Sequence, residues 1–334
     1  CPPSRPRARC MIRLLPRARP FPGNIGNCFM TFAQSLTAAA RLTEATLERI
    51  LSEKTLAGDA PDPQSGRLIA AMRHAVLGGG KRVRPLLVIE SAALFDVPAN
   101  SAALTAAALE LVHCYSLAHD DLPAMDNDEL RRGLPTVWKA YDEWTAVLAG
   151  DGLLTLAFDV LARPETHPDP EIRLALISAL ARAAGTAGMV GGQALDLMAD
   201  KLGDPAQPTV EHIRRLQAMK TGALLVFACE AGAILGRASP PERQALVSFG
   251  ADLGFAFQIA DDLLDAEGDA ATVGKAVAKD ASANKATLVS LVGIPAAKAM
   301  LAETETRATA ALAAFGTKAA LLREATRFVV NRKN

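Results

Sequence analysis

GFAFQIADDLLDAEGD, residues 254–269, sets Asp261, Asp262 and Asp265 inside an apolar run with helical spacing. Asp261 and Asp265 stand at i and i+4, so both carboxylates fall on one helix face, where repulsion and desolvation are costly unless cations neutralise them. A second stretch, HCYSLAHDDLPAMDNDELRRGLPT (113–136), gathers Asp120, Asp121, Asp126 and Asp128 within nine positions, again behind an apolar run. From Met30 onward the chain consists of long apolar-periodic stretches broken by short Gly, Pro and Asp clusters, among them 77–84, 122–136, 163–170, 202–208 and 267–284. Ten to twelve helices are predicted, with no strand alternation, internal repeat or low-complexity linker. Composition agrees: aromatics are only 4% of a chain that is 50% hydrophobic, so the apolar mass is largely Ala and Leu, which favour helices over strands. The predicted fold is all-α, a single-domain helical bundle over residues 30–334.

The charge balance of the 334 residues, 36 Lys and Arg against 36 Asp and Glu, hides an asymmetry. Residues 1–29 carry six arginines and no acid, which leaves the body at 30 basic against 36 acidic, net −6. A net-negative body excludes general binding of nucleic acid and requires any phosphate ligand to be held by local cations or metal. The first 29 residues show no helical period and are set apart from the fold, either as an upstream stretch before a start at Met30 or as an Arg-rich transit segment. Prolines at 2, 3, 6, 16, 20 and 22 oppose the amphipathic helix that the second reading needs. Only Cys114 and Cys229 lie in the body, without metal-ligand spacing, which suggests a reducing, cytoplasmic setting. No uncharged apolar run reaches the ~18 residues of a membrane span, so none is expected.

The 261–265 carboxylates have no accompanying His or Cys, and oxygen-only ligands select a hard ion, Mg2+ above all. Mg2+ keeps several waters and commonly bridges one or two carboxylates to substrate phosphates, so two acidic clusters facing each other would cradle a diphosphate. An independent basic set supports this: GGGKRVRP (78–85) places Lys81 and Arg84 beside a glycine turn whose amides can contact an anion, and Arg131 and Arg132 follow the first acidic cluster.

These residues resemble the trans-prenyl diphosphate synthases, most closely the bacterial farnesyl diphosphate synthases, and the resemblance spans residues 30–334. It rests on DDLPAMD (120–126) with RRG (131–133), DDLLD (261–265), GGGKRVRP, GGQALD (191–196), MKTGAL (219–224), Gln258, and lysines 275 and 285 in VGK and NKAT. The resemblance implies the isoprenoid synthase fold around a central apolar cavity, and a homodimer. It implies that Asp120, Asp126 and Asp261, helped by Asp121, Asp262 and Asp265, hold three Mg2+ ions around an allylic diphosphate. Lys81, Arg84, His113 and Arg132 would bind isopentenyl diphosphate, and Arg131, Lys220, Lys275 and Lys285 the allylic diphosphate. Thr221 and Gln258 would line the reaction centre, where their oxygens stabilise positive charge. Asn127 departs from the pattern, which usually has Asp there.

The implied activity is condensation of isopentenyl diphosphate with dimethylallyl and then geranyl diphosphate. Tyr115 lies five residues before Asp120, between one and two helical turns away, so its ring can act with Ser116 as the floor of the chain pocket. A floor there implies a fifteen-carbon product, farnesyl diphosphate; the alternative is a geranylgeranyl or longer-chain enzyme. A terpene cyclase would leave Lys81, Arg84 and Arg132 without a ligand. A non-catalytic regulatory subunit would lack the two intact acidic motifs.

Overall fold

Thr31 starts the first helix with a capping box, its hydroxyl accepting from the Gln34 amide while Gln34 Oε1 accepts from the Thr31 amide. From there the computed structural model describes residues 30–57, 63–272 and 286–332. In chain order these form α1 (Phe32–Ile50), α2 (Glu53–Ala57), α3 (Pro63–Leu77), α4 (Val83–Ala93) and α5 (Ala99–Asp120), then a hairpin of β1 (Leu130–Arg131) with β2 (Leu134–Pro135). Next come α6 (Val137–Ala140), α7 (Glu143–Ala162), α8 (Pro170–Ala184), α9 (Met189–Leu202) and α10 (Val210–Gln217). A π-helical turn, Ala218–Gly222, leads into α11 (Ala223–Leu235) and the long α12 (Pro240–Thr272). The chain closes with α13 (Leu288–Val292), α14 (Ile294–Ala311), a 3-10 stretch at Ala313–Ala319 and α15 (Ala320–Val330).

The all-α expectation holds, with three corrections among the described residues. There are more helical segments than expected because α2, α6 and α13 are one-turn pieces and because glycines 185 and 188 divide α8 from α9. Helix α12 continues to Thr272, past the break expected from Glu267. A strand pair does exist, two residues long: Arg131 pairs Leu134 across Arg132 and Gly133, whose φ values of 55 and 79 suit the tight hairpin turn. Residues 1–29, set apart above, lie outside the described residues, as do Lys275 and Lys285.

Helix α5 is the axis of the bundle. Every residue from Ala102 to Val112 is buried, because α5 is apolar on all sides and is enclosed by α1, α3, α4, α7 and α11. The core is contiguous and runs from Ala39 to Val329. Four stretches, Ala99–Asp120, Glu143–Ala162, Pro170–Leu202 and Val210–Leu235, are long and apolar enough to cross a membrane by length and composition. The most apolar parts of the first are 78% buried within the protein, so its hydropathy is that of a central core helix. Cys114 and Cys229 are buried free thiols.

Candidate active site

The C-terminal half of α5, the start of α4, α9 and the π-helical turn converge on two cavities. One, of about 430 Å3, is lined on the α5 side by Tyr115, Ser116, His119 and Asp120 and opposite by Lys220 and Thr221. The other, of about 630 Å3, is lined by Lys81, Arg82, Glu110, Arg132 and Arg332 among others. Arg84 and His113 line both. A mostly apolar chamber thus meets a strongly basic one at a shared wall.

The basic chamber is built by the glycine loop. Arg82 has left-handed backbone (φ 50), which turns its guanidinium inward to bind Glu110 at 2.5 Å and the Val76 carbonyl at 2.6 Å. Burial opposes its charge, but Glu110 and Glu44 outweigh that and raise its pKa. With Arg82 anchored, Lys81 and Arg84 flank it at the chamber. Burial lowers the pKa of Arg84, which Glu110 partly offsets, and its Nε has no hydrogen-bond partner. An anion would compensate that buried cation. His113 lies 3.4 Å from Arg84 Nη1; burial, then the charges of Arg84 and Arg132, hold its pKa well below the usual histidine range. Arg132 reaches from the hairpin to the Gly79 carbonyl, across Gly80, where a Cβ would lie 2.7 Å from its Nη1 and where φ is +137. Glycine is required at that crossing.

In the apolar chamber Asp120 is the conspicuous charge. Burial pushes its pKa up to about 6; Lys220 lowers it and Asp126 raises it. Asp121 is pinned by Arg131, with Nη2 to Oδ1 at 2.5 Å, although burial still raises its pKa. Asn127 adopts φ 57, a left-handed conformation that Asn tolerates well, which gives this departure from the usual Asp a backbone reason. Lys220 binds Asp196 at 2.6 Å, and the Thr221 hydroxyl donates to Gln258 Oε1 at 3.2 Å. Those two bonds tie the π-helical turn to α9 and α12, and π-helical turns recur at functional sites.

The second acidic motif is partly engaged by the chain itself. Asp261 pairs with Arg332, whose guanidinium stacks 4.1 Å from the Phe257 ring centre. Asp262 accepts from the Leu288 amide at 3.0 Å and Gln217 Nε2 at 3.2 Å, while burial raises its pKa. Among the described residues no three His, Cys, Asp or Glu side chains gather closely enough to hold a metal ion by themselves. The donor chemistry nonetheless fits a hard cation: the ligand atoms are carboxylate oxygens, and Asp120 lacks a compensating partner sufficient to offset its burial.

Sequence reasoning missed Arg82, Glu110, Asp196, Gln217 and Arg332. Arg82 and Asp196 sit inside quoted motifs, but their neighbours drew the chemistry; Glu110, Gln217 and Arg332 have no motif of their own.

The polyprenyl synthetase family model matches residues 66–321. A farnesyl diphosphate synthase from Geobacillus stearothermophilus is 44% identical over 237 residues, 71% of this chain and 78% of that protein. One from Escherichia coli K12 is 41% identical over 278 residues, 80% of this chain and 87% of that protein. Among solved structures, an FPP/GFPP synthase from Zymomonas mobilis superposes with a TM-score of 0.78 at 42% identity, covering 90% of this chain and 98% of the other. The motifs, the helical bundle and these matches agree: the chain belongs to the polyprenyl synthetase family.

Proposed function

We propose that the protein is a Mg2+-dependent farnesyl diphosphate synthase, condensing isopentenyl diphosphate with dimethylallyl and then geranyl diphosphate and releasing pyrophosphate at each step. The observation that carries this is the junction of an apolar chamber with a basic one at Arg84 and His113. An allylic substrate with its tail in the first and isopentenyl diphosphate with its phosphates in the second would meet at that wall. Lys81, Arg84, Arg132 and His113 bind the isopentenyl phosphates; Arg131, Lys220, Lys275 and Lys285 bind the allylic ones. Asp120, Asp121, Asp126, Asp261, Asp262 and Asp265 would hold Mg2+, which when bound withdraws charge from the leaving diphosphate. The Thr221 and Gln258 oxygens face the carbon skeleton as the C–O bond ionises and stabilise the allylic cation. The isopentenyl double bond attacks that cation, and the adduct loses a proton to the departing pyrophosphate. Apolar walls exclude water, which would capture the cation as an alcohol.

Residues 30–334 form the catalytic unit on this reading, and the protein acts in the cytoplasm as a homodimer without a membrane span. The dimer reading rests on the family, and α7 offers it a face, where Trp144, Val147 and Leu148 stand exposed at i, i+3 and i+4. The test is incubation of the purified full chain with dimethylallyl diphosphate, isopentenyl diphosphate and Mg2+, with products identified by mass. Farnesyl diphosphate, abolished by EDTA and restored by Mg2+, is expected; condensation that survives chelation, or none at all, overturns the proposal. Tyr115→Ala should move products toward twenty carbons or more. A native product mainly longer than fifteen carbons replaces the farnesyl assignment with the geranylgeranyl or longer one.

A further inference from the structure

Among the described residues lining the basic chamber one is a carboxylate, Glu110, and a negative charge beside a phosphate site opposes its ligand. Its partner explains its place. The side chains of Arg82 and Glu110 are 0% and 3% exposed, and the guanidinium gives Nη1 to Glu110 Oε1 and Nη2 to the Val76 carbonyl, with Glu44 of α1 3.7 Å from Nε. Val76 lies in the last turn of α3, whose terminal carbonyls have no partner within the helix, so Arg82 caps that end. One side chain thus joins α1, α3 and α5 at the residue where α4 begins.

We propose that Arg82 and Glu110 are a positioning pair, which touches no substrate and holds Lys81 and Arg84 where they meet the isopentenyl phosphates. This rests on the diphosphate reading of the basic chamber. Arg82 has φ 50 and ψ 40, a left-handed conformation that a non-glycine residue keeps only where its surroundings enforce it. Released from Glu110 and Val76, residue 82 returns to ordinary backbone. That turns the peptides on both sides of it and carries Lys81 and Arg84 away from the chamber they line. Arginine is needed, because its planar fork reaches the carboxylate and the carbonyl at once, whereas a lysine ammonium is a point donor. Glu110 therefore acts with two opposite signs: its charge weakens phosphate binding, and its grip on Arg82 strengthens it. The positioning effect is the larger one, since the carboxylate is already neutralised by the guanidinium it binds at 2.5 Å.

The experiment uses the full chain with geranyl diphosphate, isopentenyl diphosphate and Mg2+, and reads the KM of each substrate beside kcat and Tm. Glu110→Gln should raise the isopentenyl KM about tenfold and leave the geranyl KM within about twofold. Arg82→Lys should do the same to a smaller extent. The double variant Arg82→Met/Glu110→Met removes both buried charges together, a change that often leaves stability equal or higher, so its Tm should be native or above while the isopentenyl KM stays raised. A double variant with native Tm and native KM shows a purely structural pair and overturns the proposal. So does a lower isopentenyl KM in Glu110→Gln, which leaves repulsion as the whole effect, or an equal rise for both substrates. If Glu110→Gln does not fold, the double variant and Arg82→Lys decide, since neither leaves a lone buried charge. A native chain that does not condense these substrates removes the underlying reading together with this one; a native chain that condenses, with variants whose KM values do not move, removes only the pair.

Discussion

Asp120 shows how a single residue trades stability for chemistry. Its carboxyl is pushed up to about 6 by burial, above the 3.8 of an exposed aspartate. Folding therefore favours its protonated form: the penalty is absent below pH ~4, grows as pH rises, and is complete above about 6. Asp120→Asn removes the buried charge. The variant should be more stable than the native protein by roughly 1–3 kcal/mol at pH 7.5, with no difference at pH 4, while losing orders of magnitude in turnover. Denaturant unfolding of both proteins at the two pH values, without added metal, measures this; a variant no more stable at pH 7.5 would show that another group compensates the charge.

At the scale of elements, the site depends on helices approaching more closely than side chains usually allow. Helix α9 passes the π-helical turn at Gly192, where a Cβ would lie 2.2 Å from the Lys220 backbone nitrogen. Backbone cannot swing aside as a side-chain tip can. Gly192→Ala should therefore cost about 3 kcal/mol or more and displace Lys220 and Thr221 together, lowering turnover even where the protein stays folded. Thermal unfolding and steady-state rates at a temperature where the variant is folded distinguish the two losses. A variant with native Tm and turnover would mean that α9 and the turn are farther apart in solution.

At the scale of the molecule, α7 presents an exposed apolar stretch. Along one stretch it exposes Trp144, 61% accessible, beside Val147 and Leu148, and offers the Val147 carbonyl to His119 of α5. Placing a charge there by Trp144→Glu should convert a dimer to monomer in analytical ultracentrifugation at micromolar concentration. A native chain that sediments as a monomer would leave that face to another partner. A chain beginning at Met30 should fold and turn over like the full sequence, because residues 1–29 lack helical period and match no part of the family motifs. A large drop in Tm or activity on that truncation would show that the segment packs on the body.

Local pattern was enough for much of this. Apolar periodicity with Gly and Pro breaks determined the all-α class, because a helix buries one stripe or its whole surface according to its own residues. The i, i+4 aspartates of α12 and the run 120–128 announced a cationic ligand, because like charges on an apolar helix are unstable alone. What the sequence could not hold is which distant groups share a space. Arg82 was indistinguishable from Lys81 and Arg84 until its left-handed backbone turned it onto Glu110, 28 positions away. Arg332 lies 71 positions from Asp261, Lys220 meets Asp196 across two helices, and His119 meets the Val147 carbonyl of α7. Those pairings follow from helix packing, which sums many weak contacts along the whole chain, and so only the tertiary structure decided them.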